Sequence, residues 1–383
     1  MSSFSDETIP SHQPIVLGCG QLCLDYLVTV SSFPNPDQKI RCTSSKVQGG
    51  GNTGNSLTCV ARLGFPCRIL AKVADDSQGR YMVEELESSG VDTSFCLNAK
   101  DGASHFNYVI VDNQTNTRTC IYTPGYPPLL PDDLTESLLL SVLDGVRVLY
   151  VNGRSREAEL LLAQKAHSKN ISILINAEKR RAGLDELLSL ADYAICSTNF
   201  PQDWTESPSS PSALLSMLIR LPKLKFVIMT LGEHGCVMLE RCSDEVSGSE
   251  EETDIDELHE SLKQNTDYTS LLPVCNSSLV TRLGGNVTGR LVIVTAEKIP
   301  SSELIDTTGA GDAFTGALLY GLCTEMATEK MLTFSSRVVS LVLLLFYSDV
   351  IFKKASVTRV LIGIVIEGFA FEICCRLLAA AEV

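Results

Sequence analysis

Short apolar runs alternate with amphipathic stretches over most of the chain. Ile15-Val16-Leu17-Gly18 reads as a buried strand, with Gly18-Cys19-Gly20 as its exit turn. Arg68–Val73, Val146–Asn152, Ile171–Asn176, Tyr193–Ser197 and Phe226–Thr230 read the same way, because short runs without alternation suit strands covered on both faces. Helical spacing of apolar positions marks Asn55–Leu63, stopped by Gly64, then Gly79–Ser89, stopped by Gly90, and Glu157–His167. Lys39–Val47 is polar with scattered β-formers and reads as a weaker strand. His105–Val111 and Arg118–Tyr122 flank Asp112-Asn113 as a hairpin. Alternation at this interval implies βαβ crossovers and a mainly parallel sheet with helices on both faces, an α/β fold class.

Two stretches break the alternation. Within Ser243–Gly289, the segment Asp244–Glu260 carries nine acids and no Lys or Arg, and a polar stretch follows it. We expect a disordered, solvated insertion over about 243–289. Further on, Val338–Tyr347 is nearly all apolar, Asp349, Lys353 and Lys354 interrupt, and Val357–Cys375 turns apolar again. Each run falls short of the ~20 residues that span a bilayer, or is interrupted within them. No membrane span is therefore expected, and residues 341–383 stand apart as an atypical apolar tail.

Composition narrows the picture. A length of 383 residues allows one large α/β domain with a sizeable core. A net charge of −15 argues against broad binding to nucleic acid or anionic membrane. None of the fourteen cysteines forms a Cys-x-x-Cys pair, and several, such as Cys59, Cys196 and Cys236, sit in apolar runs. Such thiols read as buried and reduced, which suits a reducing compartment. Residues 1–13 are polar and acidic, without the apolar core of a signal peptide, so a disordered N-terminus and a cytoplasmic protein are expected.

The richest string is Asp306-Thr307-Thr308-Gly309-Ala310-Gly311-Asp312-Ala313-Phe314, followed by a helical run to Leu322. Gly309-Ala310-Gly311 makes a turn without bulky side chains, so successive backbone N–H groups can converge on an anion. The helix beginning there adds its free N–H groups and the positive end of its dipole. Asp312 falls in that first turn, where it could take a proton from an alcohol beside the anion. A carboxylate next to an oxyanion nest is the pairing that phosphoryl transfer requires. The plainer alternative is a Gly-rich turn with Asp312 as a helix cap.

The surroundings weigh against the plainer alternative. The string resembles the C-terminal signature of the ribokinase, or PfkB, family of carbohydrate kinases. Gly49-Gly50-Gly51-Asn52-Thr53-Gly54-Asn55, some 255 residues upstream, resembles that family's N-terminal sugar-binding turn. The likeness runs from Pro14 to Leu322 outside the acidic stretch. It is closest to ketohexokinase-like members, through Asp37–Cys42, Val151–Arg154 and Ala177-Glu178-Lys179.

The resemblance implies a three-layer α/β/α body over about 14–340, with a small β lid built from about 37–50 and 104–123. It implies ATP-dependent phosphorylation of a hydroxymethyl group on a sugar or ribosyl compound. Asp312 would be the general base and Gly309, Ala310 and Gly311 the anion hole. Asp25, Asp37, Gly51, Asn52, Asn55 and Arg118 would contact the acceptor; carboxylates and carboxamides suit the binding of several adjacent hydroxyls. Lys179, Asn199, Thr230, Gly232 and Gly235 would face ATP and its magnesium. Asp306 and Thr308 would hold a monovalent cation such as potassium, and two chains would pair through the lid.

Two departures qualify the likeness. Many members carry Asn-x-x-Glu for magnesium, whereas this chain has Asn199-Phe200-Pro201-Gln202, with Asp203 adjacent. Residues after Phe346 do not resemble the family's closing segment, which leaves a weakened, sugar- or nucleoside-binding regulatory protein as the alternative function. A nicotinamide-dependent oxidoreductase fails, because Cys23 holds the third glycine position of Gly-x-Gly-x-x-Gly. No Walker motif is present. Fructose, ribose and adenosine remain open as acceptors, with the ketohexokinase likeness leaning to fructose.

Overall fold

The computed structural model describes residues 14–115, 117–242, 252–278, 281–283, 287–300 and 307–345. The N-terminal half comprises β1 (Ile15–Cys19), β2 (Cys23–Val30), β3 (Ser44–Gly50), α1 (Asn52–Arg62), β4 (Cys67–Ala74), α2 (Ser77–Ser88), β5 (Asp92–Ala99), β6 (Phe106–Asp112), β7 (Thr117–Thr123) and α3 (Glu136–Val142). The middle comprises β8 (Val146–Val151), α4 (Arg156–Ser168), β9 (Ser172–Ala177), α5 (Leu184–Leu188), β10 (Tyr193–Cys196), α6 (Phe200–Thr205), α7 (Ser210–Arg220), β11 (Phe226–Thr230) and β12 (Cys236–Arg241). The remainder adds α8 (Ile255–Gln264), β13 (Cys275–Ser277), β14 (Thr281–Arg282), β15 (Thr288–Val294), α9 (Ala310–Cys323) and α10 (Thr328–Leu345).

The strands form two sheets. Seven run parallel in the order β11-β10-β9-β8-β1-β4-β5, and the antiparallel strands β12, β15 and β13 extend the β11 side, with β14 pairing β15. Helices cover both faces. Leu17, Leu149, Ile173 and Val227 feed one core, Val16, Tyr150, Leu174 and Ile228 the other. Alternate residues of the same strands thus point to opposite layers, as continuous apolar runs require.

The second sheet, ordered β3-β2-β6-β7, is the lid. Its centre is β2, which the sequence reading passed over because the buried Asp25 interrupts an otherwise apolar run. The strand expected at Lys39–Val47 lies later, at Ser44–Gly50, while residues 34–43 make an exposed approach to it. Tyr26, Phe106 and Tyr108 interlock on the sheet with ring centroids 5.4–6.0 Å apart.

The expectation of a disordered insertion needs correction. Residues 243–251 lie outside the described residues, but α8 folds directly after them. Asp254 caps it by accepting from the N–H groups of Asp256 and Glu257. Ile255, Leu258 and Leu262, at helical spacing, pack into the core, so the acids clothe only the outer face. Asp256 also accepts hydrogen bonds from Ser209 and Ser212 at the start of α7, at 2.6 and 2.7 Å. Counting charge had hidden a stripe of three apolar residues.

The apolar run after Val338 also begins as packed helix. Leu341 and Val342, in the last turns of α10, rest against Leu63, Ala317, Phe334 and Val338. The remaining tail, 346–383, and the N-terminal 1–13 lie outside the described residues. No described helix is long and apolar enough to cross a membrane.

Candidate active site

The parallel strands all end on one edge, and several of the groups singled out above gather there, as ligand sites do in open α/β sheets. Asn152-Gly153-Arg154 leaves β8, Glu178-Lys179 leaves β9, Ser197-Thr198-Asn199 leaves β10 and Leu231-Gly232 leaves β11. Helices α1 and α9 bring their N-termini to the same edge. They pack closely because Gly316 has no side chain: a Cβ there would stand 2.5 Å from the Ser56 carbonyl oxygen.

That close packing joins the two glycine-rich motifs. Asn55, in the first turn of α1, donates from Nδ2 to Asp312 Oδ2 at 2.8 Å. Gly309 precedes α9 in the left-handed region at φ 80°, and no atom approaches the Cβ positions of Gly309 or Gly311, so the turn is bare on its outer side. The Ala310 N–H is turned inward to Thr307 O at 3.2 Å. Among the described residues no backbone carbonyl accepts from the N–H groups of Gly311 or Asp312. Of the three expected anion-hole N–H groups, that of Ala310 is thus the one with a backbone partner among the described residues. The carboxyl of Asp312 is pushed up to about 7, chiefly by burial and further by the nearby Glu178, while hydrogen bonds from Asn55 and Asn52 and the charge of Arg154 oppose the rise.

Glu178, which the sequence marks only within Ala177-Glu178-Lys179, stands among these groups. Its carboxylate accepts from Asn52 Nδ2, from Arg154 Nη2 at 3.2 Å and from Arg181 Nη2 at 3.4 Å. Beneath Arg154 lies Glu159 of α4, fully buried, whose two oxygens accept from the N–H groups of Gly153 and Ser155 at 2.6 and 2.8 Å. Burial raises its carboxyl to about 7 against those backbone hydrogen bonds. Its signal was a lone acid on the apolar face of a helical pattern, which is ambiguous in sequence.

The lid supplies a second carboxylate. Asp25 is buried and lies flat against Gly50, where a Cβ would come within 2.3 Å of its oxygen. Asn107 Nδ2 on β6 donates to Asp25 Oδ1 at 2.8 Å. Burial raises Asp25 above the usual carboxylate range, and hydrogen bonds from Asn107 and Cys23 and the charge of Arg118 restrain it. Gly51, at φ 91°, has no room for a side chain, with Gln21 O 2.7 Å from its Cβ position. Tyr122 Oη lies 2.9 Å from His105 Nδ1 and donates to Gln21 at 3.1 Å, a polar floor under the lid that the sequence did not flag. Asn107 was missed for a similar reason, as one polar residue in an alternating strand.

Other picks fare unevenly. Arg118 reaches from β7 to Thr308, donating to its hydroxyl at 3.1 Å and closing lid onto body. The Thr308 hydroxyl thus has a guanidinium beside it, while Asp306, the other residue expected at a monovalent cation, lies outside the described residues. Asp37 is exposed, with φ 62°, and no described contact links its side chain to the site.

On the nucleotide side, Lys179 and Asn199 are exposed at adjacent strand ends. Thr198 donates to Thr230 O at 2.8 Å, tying β10 to β11. Gly235 is required where it stands, since a Cβ would meet Val294 O at 1.9 Å, whereas Gly232 is open. Gln202 is committed to structure: its Oε1 accepts from Ser210, so it does not replace the missing magnesium carboxylate. No cluster of three or more His, Cys, Asp or Glu suited to a metal occurs among the described residues. A cleft of about 750 Å³ between α2 and β5, bordered by Arg80, Glu84, Glu87 and Asp92, contains none of the residues picked from the sequence.

Residues 16–253 and 289–348 match the family model described as pfkB family carbohydrate kinase. The chain belongs to that family. The unmatched interval, 254–288, contains α8 and the described segments leading into β15. Mouse ketohexokinase is 22% identical over 331 residues, spanning 84% of this chain and 94% of that protein. The structure of Arabidopsis thaliana ribokinase complexed with ribose and ATP superposes with a TM-score of 0.62 at 16% identity, covering 87% of this chain and 93% of the other. Ribokinase from Cryptococcus neoformans in complex with ADP gives 0.60 at 19%, covering 86% and 94%. The fold is thus the ribokinase-like α/β fold, and the chain is a carbohydrate kinase.

Proposed function

We propose that this kinase transfers the γ-phosphoryl group of ATP to a hydroxymethyl group of a sugar or ribosyl compound, with Asp312 as general base. The observation that carries the reading is the meeting of the two glycine motifs: Asp312 and Asn55, 257 positions apart, are hydrogen-bonded beside a bare turn with outward N–H groups. The acceptor lies between the lid and the N-terminus of α1, with Asp25, Asn107, Asn52 and Asn55 taking its hydroxyls. Its reacting hydroxyl gives a proton to Asp312 as the oxygen attacks phosphorus. The N–H groups of Gly311 and Asp312 take up charge on the transferred phosphoryl group. A carboxyl at about 7 is matched to that task, because it is half ionised near neutrality and strong enough as a base when ionised.

The relatives support ATP as donor, since the Arabidopsis protein carries ribose and ATP. Lys179 and Asn199 stand where the triphosphate would extend, and magnesium bound with it would neutralise its charge. The donor groups fit the phosphates better than they fit the metal, because the only carboxylate at the expected metal motif is the adjacent Asp203. Dependence on potassium and pairing through the lid remain part of the reading that rests on resemblance alone.

A panel of ketoses, aldoses and nucleosides, each tested with ATP and magnesium by coupled ADP release, decides the reading. Phosphorylated product from at least one member, abolished in Asp312→Asn, is expected. Hydrolysis of ATP without any phosphorylated acceptor would reject it.

A further inference from the structure

The edge holds one carboxylate whose position the proposed reaction does not use. Glu178 follows β9, and its backbone is pinned by Ser197 Oγ donating to its carbonyl at 2.7 Å. Three donors from three parts of the chain converge on its side chain: Asn52 of α1, Arg154 after β8 and Arg181. Asn52 thus bonds Glu178 through its amide nitrogen and also hydrogen-bonds Asp312, which places it between the two carboxylates. Arg154 is the cation whose charge lowers the Asp312 carboxyl. A guanidinium paired with that carboxylate would hold it ionised but weak as a base. In this structure Arg154 pairs with Glu178 instead, and no described hydrogen bond joins it to Asp312.

We propose that Glu178 is a positioning residue that fixes Asn52 and tethers Arg154, so that the guanidinium is kept off Asp312. The role rests on the reading of Asp312 as base, although the arrangement it describes exists without substrate. The charges and titratable groups facing Asp312 are few. Glu178 raises its carboxyl and Arg154 lowers it. Tyr150 from β8 and Cys59 from α1 are both kept neutral by burial. Removing Glu178 acts twice in one direction, taking away a negative neighbour and freeing a positive one. Removing Arg154 acts in the other.

The test is a ¹³C-aspartate NMR titration of the full chain without substrates, following the carboxyl resonance that is absent from Asp312→Asn. The native midpoint is expected near 7. Glu178→Gln should move it down towards the ordinary carboxylate range, and Arg154→Gln should move it up. An unchanged midpoint in Glu178→Gln, or the same direction in both variants, overturns the proposal. If Glu178→Gln does not fold, Arg154→Gln decides alone: a midpoint that fails to rise means that no tethered guanidinium acts on Asp312. Because no turnover is measured, failure here is distinguishable from failure to find an acceptor.

Discussion

The first turns of α9 and α4 each contain a carboxyl raised to about 7 by burial, Asp312 in one and Glu159 in the other. The surroundings separate them. Asp312 accepts from a side-chain amide, faces an open glycine turn and is half-buried. Glu159 is fully buried and spends both oxygens on backbone N–H groups. A raised proton affinity marks a functional candidate only where a substrate could reach the group and where its neighbours are exchangeable. On the proposed reading the first carboxyl carries the chemistry, whereas the second holds up the loop that carries Arg154.

Replacing each carboxyl should break the comparison in opposite ways. Asp312→Asn should lower kcat by on the order of 10²–10⁴-fold while nucleotide binding persists. It should also stabilise the fold. The Asp312 carboxyl titrates near 7 when folded and near the ordinary carboxylate value when unfolded, so stability is lost as pH rises between the two. The variant's gain in melting temperature should be absent near pH 4 and complete above about pH 7. A uniform gain at every pH would mean that burial is not the cause.

Glu159→Ala should do the reverse, leaving two buried N–H groups without partners, at about 1–3 kcal/mol each. Urea denaturation should show that loss, with turnover falling less than tenfold in the protein that stays folded. A collapse of turnover at unchanged stability would move Glu159 into the chemistry.

Smaller effects sharpen the same division. Asn52→Ala or Asp25→Ala should raise KM for the acceptor by roughly 1–3 kcal/mol and leave KM for ATP nearly unchanged. Equal changes for both substrates would make these residues structural. Leu262→Ala, in α8, should cost about 2 kcal/mol of stability and leave both KM values and kcat alone. Altered kinetics would connect α8 to the site.

Much of this was legible in the sequence where residues act locally. Uninterrupted apolar runs located β1, β4, β8, β9, β10 and β11, and the glycine strings located the N-termini of α1 and α9. Residues that act across the fold were harder to read. Glu178 and Asn107 gain meaning only from partners that the topology brings together, Asn52 lying 126 positions from the first and Asp25 lying 82 positions from the second. Asp37 and Thr308 each match a motif, and the fold leaves the first exposed and sets the second beside Arg118, neither of which the strings foretell. In α8, an apolar stripe of three residues outweighed the surrounding acids, because burial on one face suffices to fold a helix.

The central claim is that ionised Asp312 receives the acceptor's proton. It is tested most directly by the pH dependence of kcat/KM for the acceptor, measured with saturating ATP. The protonated carboxyl cannot act, so the rate should fall about tenfold per pH unit below about 7 and level off above it. A profile that stays flat from about pH 5.5 to 8 would contradict the assignment of Asp312 as the base.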